Sequence, residues 1–152
     1  PDEAYHQCER LLQSLGGDLR YLGSNIAAAA ALDLAFLSRL MATVCGTIHG
    51  VLICETEGVS VDQFATLFPA GDRGRTVAQA ISDDNFDVGV LGATAAVSRG
   101  ALTRLHDQAE SAGINSEIPD LLLDLLNRAI NAGYGEEETA ALIKVLRESG
   151  KF

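Results

Sequence analysis

The chain has 152 residues, of which 47% are hydrophobic, and its mean hydropathy is +0.15. This composition is typical of one compact globular domain and excludes a disordered or fibrous protein. The formal charge of −10 argues against nucleic acid as a partner, because a phosphate-binding surface needs clustered Lys and Arg. Cys8, Cys45 and Cys54 form no CxxC pair, so we expect no disulfide framework, no metal site and a reducing, cytoplasmic location.

The first 23 residues predict a helix followed by a strand. Residues 2–15 repeat apolar side chains at helical spacing and stop at Gly16 and Gly17. Residues 18–23, DLRYLG, alternate as a short strand would, yet no later segment resembles a strand. A lone strand leaves backbone N–H and C=O groups unpaired, so we expect the rest of its sheet to lie outside this sequence. A first residue that is Pro1 and not Met agrees with this expectation.

Residues 25–57 predict one long helix, because they lack proline and are rich in Ala and Leu. About 30 residues at 1.5 Å each span roughly 45 Å, whereas a domain of this size has a radius of gyration of only about 15 Å. Nearly every face of the helix is apolar or small, so we expect a second copy of the chain to cover it in an embracing homodimer. Asp33, Arg39 and His49 interrupt the apolar run, so we expect neither a membrane span nor a signal peptide.

The rest of the chain predicts further helices, so the fold class is an all-α multi-helix bundle apart from the strand at residues 18–23. We assign residues 1–23 to a preceding domain and residues 24–152 to a helical domain. The helix signals are caps, glycine ends and apolar periodicity. The predicted elements are a short helix from Ser60 to Pro69, a helix over 75–82 with a polar turn at 83–85, a helix over 88–112 closed by Gly113, a helix from Ser116 to Gly133, and a final amphipathic helix over 135–150.

Asp33 is the most informative polar residue. On a helical wheel it shares a face with Leu37, Leu40, Val44 and Ile48. Aspartate is rarely buried without a partner, so Asp33 is hydrogen-bonded in a core, exposed on a segment that faces water, or lining a cavity. In a cavity, its carboxyl group could serve as a general acid.

Other reactive side chains give weaker signals. Cys45 and His49 lie four residues apart and could form half of a metal site, but two further ligands are missing. Arg73 and Arg75 could hold a phosphate, although arginines in a polar loop are usually solvated. The chain contains no GxGxxG, GxxxxGK[ST], GxSxG or HExxH motif, and His6, His49 and His106 show no relay spacing.

Four segments together resemble a known family. They are YLG before the long helix, ALDLAFL within it, EGVS after it, and AGYGEEE before the last helix. Nearly the whole chain, from about residue 2 to residue 147, resembles the C-terminal helical half of imine reductases and reductive aminases, which are related to β-hydroxyacid dehydrogenases. β-Hydroxyacid dehydrogenases use a lysine on a helix of this domain, whereas the only lysines here are Lys144 and Lys151 at the far end. The resemblance therefore favours the imine reductases.

The resemblance implies a site shared between two domains. In this family an N-terminal Rossmann domain binds NADPH, and the helical domains exchange in a homodimer, so residues 1–23 correspond to the last helix and strand of a nucleotide-binding domain. Asp33 falls at the family's frequent proton-donor position, and Met41 stands where the family often has an aromatic residue. Leu37, Met41 and Ser98 are then the predicted substrate-binding residues; the cofactor-binding residues on this chain are unknown.

Three functions follow in order of preference. The first is the substrate and dimerisation domain of an NADPH-dependent imine reductase, in which hydride passes to an imine or iminium carbon and Asp33 protonates the imine or stabilises the iminium. The second is a stand-alone helical dimer that binds a small apolar or amine ligand without redox chemistry. The third is a relative of the reductases that keeps the scaffold and has changed its chemistry.

Overall fold

The computed structural model describes residues 2–16, 18–89 and 92–150. These residues form seven α-helices and no β-strand, which confirms the predicted all-α class. The helices are α1 (Asp2–Gln13), α2 (Ala28–Thr56), α3 (Val61–Ala65), α4 (Arg73–Ser82), α5 (Ala95–Ala112), α6 (Glu117–Ala129) and α7 (Leu142–Ser149). A π-helical turn (Ile130–Tyr134) follows α6, and a 3-10 turn (Thr139–Ala141) precedes α7. The chain divides into two compact units, Pro1–Phe36 and Leu37–Phe152.

The first unit contains α1, a segment without regular secondary structure and the start of α2. Helix α1 has no buried residue, and Tyr5 on it stacks on Tyr21 with 4.3 Å between ring centroids. The Tyr21 hydroxyl also hydrogen-bonds to the Asp2 carboxylate. The strand predicted at residues 18–23 is wrong: residues 19–22 are irregular and end in a turn at Gly23, where φ is +80°. A strand is defined by hydrogen bonds to a neighbour, and no described residue supplies a partner strand.

Helix α2 is long and only partly covered. Its buried residues all lie between Met41 and Val51, and none lies before Met41. In the first half, Leu32 and Phe36 expose 56% and 58% of their surface. By length and composition alone α2 could cross a membrane, since an 18-residue window has a mean hydropathy of 1.5 and is 11% buried, but helices of soluble proteins pass the same test.

The core of the second unit lies among α2, α4, α5, α6 and α7. Helix α6 shows the pattern most clearly, with Leu122, Leu126 and Ala129 buried at helical spacing and Leu121 exposed. The largest fully buried apolar side chains of the described residues are Ile48, Leu102, Leu126, Leu142, Ile143, Val51 and Val77. Glu55 near the end of α2 also forms a charged hydrogen bond with Arg147 of α7, with 3.2 Å between Arg147 Nε and Glu55 Oε2.

Several helices begin elsewhere than the sequence predicted, and α7 begins at Leu142, seven residues after the predicted residue 135. Helix α4 begins at Arg73, before the predicted residue 75, because the Asp72 side chain accepts a 2.7 Å hydrogen bond from the Gly74 N–H. Helix α5 begins at Ala95, seven residues after the predicted start at residue 88. The Thr94 side chain caps α5 by accepting from the Val97 N–H at 3.1 Å.

Two predicted serine caps do not form. Ser60 and Ser116 occupy the N-cap positions of α3 and α6, but neither side chain accepts a hydrogen bond from its helix. The Ser116 hydroxyl donates to Asp120 at 2.8 Å, and the Asn115 side chain accepts from the Glu117 N–H at 2.9 Å. Asparagine is as good a capping residue as serine, so the local sequence allowed either.

A candidate substrate pocket between α2, α5 and the turn before α7

A cavity of about 210 Å³ lies within the second unit. Three structural elements enclose most of it: the middle of α2, the first two turns of α5, and the residues that lead into the 3-10 turn. Its lining residues are Leu37, Leu40, Val44, Arg73, Ala93, Val97, Ser98, Ala101, Glu138 and Thr139. The cavity therefore has an apolar part and a small polar part.

The apolar wall comes from one stripe of α2. Leu37, Leu40 and Val44 are spaced by three and four residues, so their side chains project from the same side of the helix. Val97 and Ala101 of α5 contribute the facing apolar surface. Such walls bind hydrocarbon by removing it from water, at about 25 cal/mol per Å².

Two hydroxyl groups form part of the polar lining. Ser98 Oγ lies 2.7 Å from Thr139 Oγ1, and both residues are buried. Thr139 Oγ1 also donates to the Ala93 carbonyl at 3.3 Å. With the Thr139 proton directed to that carbonyl, Ser98 is the donor within the hydroxyl pair, and the lone pairs of Ser98 Oγ are left as acceptors.

Glu138 places a carboxylate at the cavity. The residue is 1% exposed, and its Oε2 accepts a 3.0 Å hydrogen bond from the Ala140 N–H as the cap of the 3-10 turn. Burial raises the pKa of Glu138, and three effects oppose this rise: the backbone hydrogen bond from Ala140, the charge of Arg73 and a backbone hydrogen bond from Ala93. A buried carboxyl group with a raised pKa is a candidate functional group.

The segment before Glu138 is fixed from both sides. The Lys144 ammonium pairs with Glu137 and lies 4.4 Å from the ring centroid of Phe86 and 4.8 Å from that of Tyr134. The Glu138 N–H donates to the Phe86 carbonyl at 2.9 Å. The start of α5 makes a third contact with this segment, since the Ala95 N–H donates a hydrogen bond to the Glu137 carbonyl at 2.8 Å. These contacts hold the Glu138 backbone in one place relative to α5.

A comparison with protein families matches residues 25–148 to the NADPH-dependent reductive aminase-like C-terminal domain. The chain belongs to this family. The match covers helices α2 to α6 and all but the last residue of α7, and it includes every residue that lines the cavity. This assignment confirms the family resemblance drawn from the YLG, ALDLAFL, EGVS and AGYGEEE segments.

A solved structure shows the same fold. The reductive aminase-like domain is similar to the crystal structure of 3-hydroxyisobutyrate dehydrogenase from Salmonella typhimurium, with a TM-score of 0.79 and 16% sequence identity. The alignment covers 93% of this chain and 50% of that structure, so the chain spans half the length of this structural relative. At this identity the likeness shows the fold alone. A comparison with curated proteins gave no match.

The predicted site residues of the reductive aminase-like domain occupy three different environments. Leu37 and Ser98 both line the cavity. Met41 is 4% exposed and lies in the core, and it is not one of the lining residues. Asp33 is exposed and belongs to the first unit, one helical turn before Leu37 on α2. The roles assigned to Asp33, Met41, Leu37 and Ser98 stay predictions.

The sequence did not indicate Glu138 and Thr139 as site residues. A run of three acidic residues at 136–138 suggests a solvated surface, and only the structure separates an exposed Glu136 from a buried Glu138. One signal was available, because Glu138 is the last charged residue before the apolar stretch that opens the final helix, where a capping side chain is expected. The sequence predicts a solvated loop residue at Arg73, but Arg73 begins α4 and lines the cavity.

The described residues do not fit a dinucleotide. They contain no β-sheet and no glycine-rich turn between a strand and a helix, which are the elements that seat NADPH in a Rossmann domain. The cavity of 210 Å³ is also below the roughly 300–1,000 Å³ of pockets for drug-sized ligands. The chemistry open to these residues is therefore binding of a small molecule and proton exchange with it.

Proposed function

We propose that this chain is the substrate and dimerisation domain of a cytoplasmic, NADPH-dependent imine reductase that works as a homodimer. The observation that carries the proposal is the cavity wall formed by Leu37, Leu40 and Val44 in a chain of the reductive aminase-like family. Leu37, Leu40 and Val44, which a helical wheel places on the same face of α2 as Asp33, thus form the apolar wall of the cavity. A family scaffold together with such a space supports binding of a small imine.

The chain's own residues have two tasks in this reaction. The apolar wall of α2 and α5 binds the hydrocarbon part of the imine and excludes water from it. The Asp33 carboxyl group, exposed one turn before Leu37, donates a proton to the imine nitrogen or stabilises the iminium by its charge. NADPH supplies the hydride when it is bound by a nucleotide-binding domain outside these residues.

The first half of α2 supports the proposed homodimer. No residue between Ala28 and Leu40 is buried, although this part of the helix carries Leu32 and Phe36. Exposed apolar side chains on one long helix are costly in water and are usually covered by protein. We propose that a second copy of the chain covers them.

Replacing Asp33 with Asn in the intact protein tests the acid role. The amide keeps the shape of the side chain but neither donates the required proton nor carries the charge. We expect the kcat for reduction of a cyclic imine by NADPH to fall about 100-fold or more, the usual contribution of a general acid. Asp124→Asn is the matched control, because Asp124 is also an exposed carboxylate within a helix, α6.

The outcomes separate the parts of the proposal. Loss of turnover in Asp33→Asn, with Asp124→Asn and the subunit mass unchanged, supports the acid role. Unchanged turnover in Asp33→Asn removes Asp33 from the mechanism but keeps the reductase. A wild-type protein that reduces no imine with NADPH overturns the function itself.

A further inference from the structure

The hydroxyl pair of Ser98 and Thr139 has no task in the proposed proton and hydride transfer. Both side chains line the cavity, and the two residues are 6% and 5% exposed. A buried hydroxyl group costs free energy unless it is hydrogen-bonded, and Ala or Val would fill the same two positions without that cost. Packing alone therefore does not account for the pair.

The backbone holds the two hydroxyl groups at a fixed separation. Ser98 lies in the first turns of α5, where the Ala95 N–H donates to the Glu137 carbonyl at 2.8 Å. Thr139 follows Glu137 by two residues and begins the 3-10 turn. The distance of 2.7 Å between Ser98 Oγ and Thr139 Oγ1 is the usual length of a hydrogen bond between hydroxyl groups. The contact between α5 and this segment thus keeps the pair together.

The hydrogen bonds determine where each hydroxyl proton points. Thr139 Oγ1 has one proton, which it donates to the Ala93 carbonyl at 3.3 Å. Thr139 is then the acceptor for Ser98, so the single Ser98 proton is directed to Thr139. Ser98 Oγ therefore offers only its lone pairs to a molecule in the cavity. Such an oxygen accepts from a ligand N–H or O–H and repels a ligand carbonyl oxygen.

The other lining groups do not have this choice between donor and acceptor. The side chains of Leu40, Val44 and Val97 form no hydrogen bonds. Ionised Glu138 accepts only, and the charge of Arg73 stabilises this form. An arginine side chain donates only. In the hydroxyl pair, by contrast, the character presented to a ligand depends on the direction of one proton.

We infer that Thr139 is a positioning residue that takes the Ser98 proton and so makes Ser98 a hydrogen-bond acceptor toward the ligand. The cavity then favours a small ligand with an N–H or O–H group over one of the same shape that has only a carbonyl oxygen. The inference deepens the proposed function and rests on it, because it takes this cavity as the substrate pocket. Thr139 acts on the ligand through Ser98.

Titration of the full chain with cyclopentanol and cyclopentanone, followed by the NMR chemical shifts of the cavity residues, tests this inference. The two probes have nearly the same shape, but only the alcohol brings a donor. We expect the wild-type chain to bind the alcohol about threefold tighter or better, the worth of one neutral hydrogen bond. In Thr139→Val the two affinities should become about equal, because a Ser98 hydroxyl without a fixed partner rotates to donate or to accept. Thr139→Ser keeps the hydroxyl group and should keep the preference.

A double-mutant cycle separates positioning from packing. In a Ser98→Ala background, Thr139→Val should leave the ratio of the two affinities unchanged, because the residue through which Thr139 acts is gone. Thr103→Val is the matched control, since Thr103 is exposed on α5, donates to the Arg99 carbonyl at 3.0 Å and is not a lining residue. It should keep the wild-type preference. If Thr139→Val does not fold, Thr139→Ala replaces it with the same expectation.

Four results would overturn the inference. The wild-type chain binds neither probe, or it binds both equally. The preference for the alcohol survives in Thr139→Val, or Thr139→Val changes the ratio in the Ser98→Ala background. None of these results alters imine turnover by the intact protein or its dependence on Asp33, so failure of the inference and failure of the proposed function are distinguishable.

Discussion

The burial of Glu138 makes the stability of the folded chain depend on pH, and the position of Glu138 in the sequence does not suggest this. Burial raises the folded-state pKa of its carboxyl group above the ordinary value of 4.5. Between these two pKa values the folded chain binds more protons at this site than the unfolded chain does. Stability from Glu138 is therefore fully present below about pH 4.5 and is lost as the pH rises through the folded-state pKa.

Glu138→Gln should remove this dependence. We expect the free energy of unfolding of the variant, relative to wild type, to increase as the pH rises from 4.5 towards 7, because the wild type alone must bury a charge. Urea denaturation followed by circular dichroism at several pH values gives both curves. A difference between the two proteins that does not change with pH would show that the folded structure does not perturb this carboxyl group.

The burial of the Cys45 thiol on α2 should make it slow to react. Burial raises its pKa from 9.0 to about 11, so at pH 8 its reactive thiolate is about 100-fold scarcer than at an ordinary site. We expect a thiol reagent at pH 8 to modify the exposed Cys8 quickly and Cys45 only after unfolding in urea. Cys8→Ser should remove a fast phase of labelling, whereas Cys45→Ser should not change that phase. A fast phase lost in Cys45→Ser contradicts the burial.

At the scale of single residues, the sequence predicted the positions of those side chains that follow helical periodicity. Leu37 could be placed because it shares a face of α2 with Leu40 and Val44, and all three line the cavity. Glu138 could not be placed, because its burial depends on Phe86 and Ala93, which are more than 40 residues away in the sequence. Periodicity reports only on contacts within one helix.

At the scale of elements, two glycines of α2 provide a matched test of the contact between α2 and α3. A Cβ atom added at Gly50 would lie 2.6 Å from Cζ of Phe64, whereas one added at Gly46 meets nothing within 4 Å. The Phe64 ring cannot move freely, since it packs edge-to-face on Phe68 with 5.1 Å between centroids. Gly50 is therefore needed for this close approach.

Gly50→Ala should lower the free energy of unfolding by about 1–2 kcal/mol, because the overlap with Phe64 outweighs the gain in helix propensity. Gly46→Ala should raise it by about 0.5–1 kcal/mol, since the same gain meets no obstacle. Denaturant unfolding of both variants gives the values. Equal stabilisation by the two substitutions would mean that α3 does not pack closely on α2.

The helices were easier to predict than their ends. Helices α1, α2, α4, α6 and α7 follow from apolar spacing, and α2 is within three residues of the predicted 25–57 at each end. The start of α5 was misplaced because the first N–H groups of the observed helix make tertiary hydrogen bonds: those of Ala95 and Ala96 donate to the carbonyls of Glu137 and Gly135. A tertiary contact of this kind leaves no local signal.

At the scale of the whole molecule, the uncovered half of α2 predicts self-association. Phe36→Asp places a charge on its apolar surface and should weaken the dimer at least about tenfold. Leu67→Asp is the control, because Leu67 is 77% exposed on a different segment and should not matter. Sedimentation velocity should give twice the 16.0 kDa chain mass for wild type and for Leu67→Asp, and a larger monomer fraction for Phe36→Asp.

Two results of the sedimentation experiment would contradict the homodimer. A wild-type chain that is monomeric across the accessible concentrations removes the dimer and leaves the exposed half of α2 to another protein. A wild-type chain that sediments only with added phospholipid vesicles assigns that surface to lipid, which the length and hydropathy of α2 also permit.

The continuity of α2 has a thermodynamic consequence. One uninterrupted helix carries both the exposed apolar side chains of Leu32 and Phe36 and the cavity wall at Leu37, Leu40 and Val44. A partner that shifts this helix alters the space available to a ligand, and a ligand that fills the space alters the helix presented to the partner. By linkage, the factor by which association changes ligand affinity equals the factor by which the ligand changes association. Apparent ligand affinity should then vary with the concentration of the protein itself.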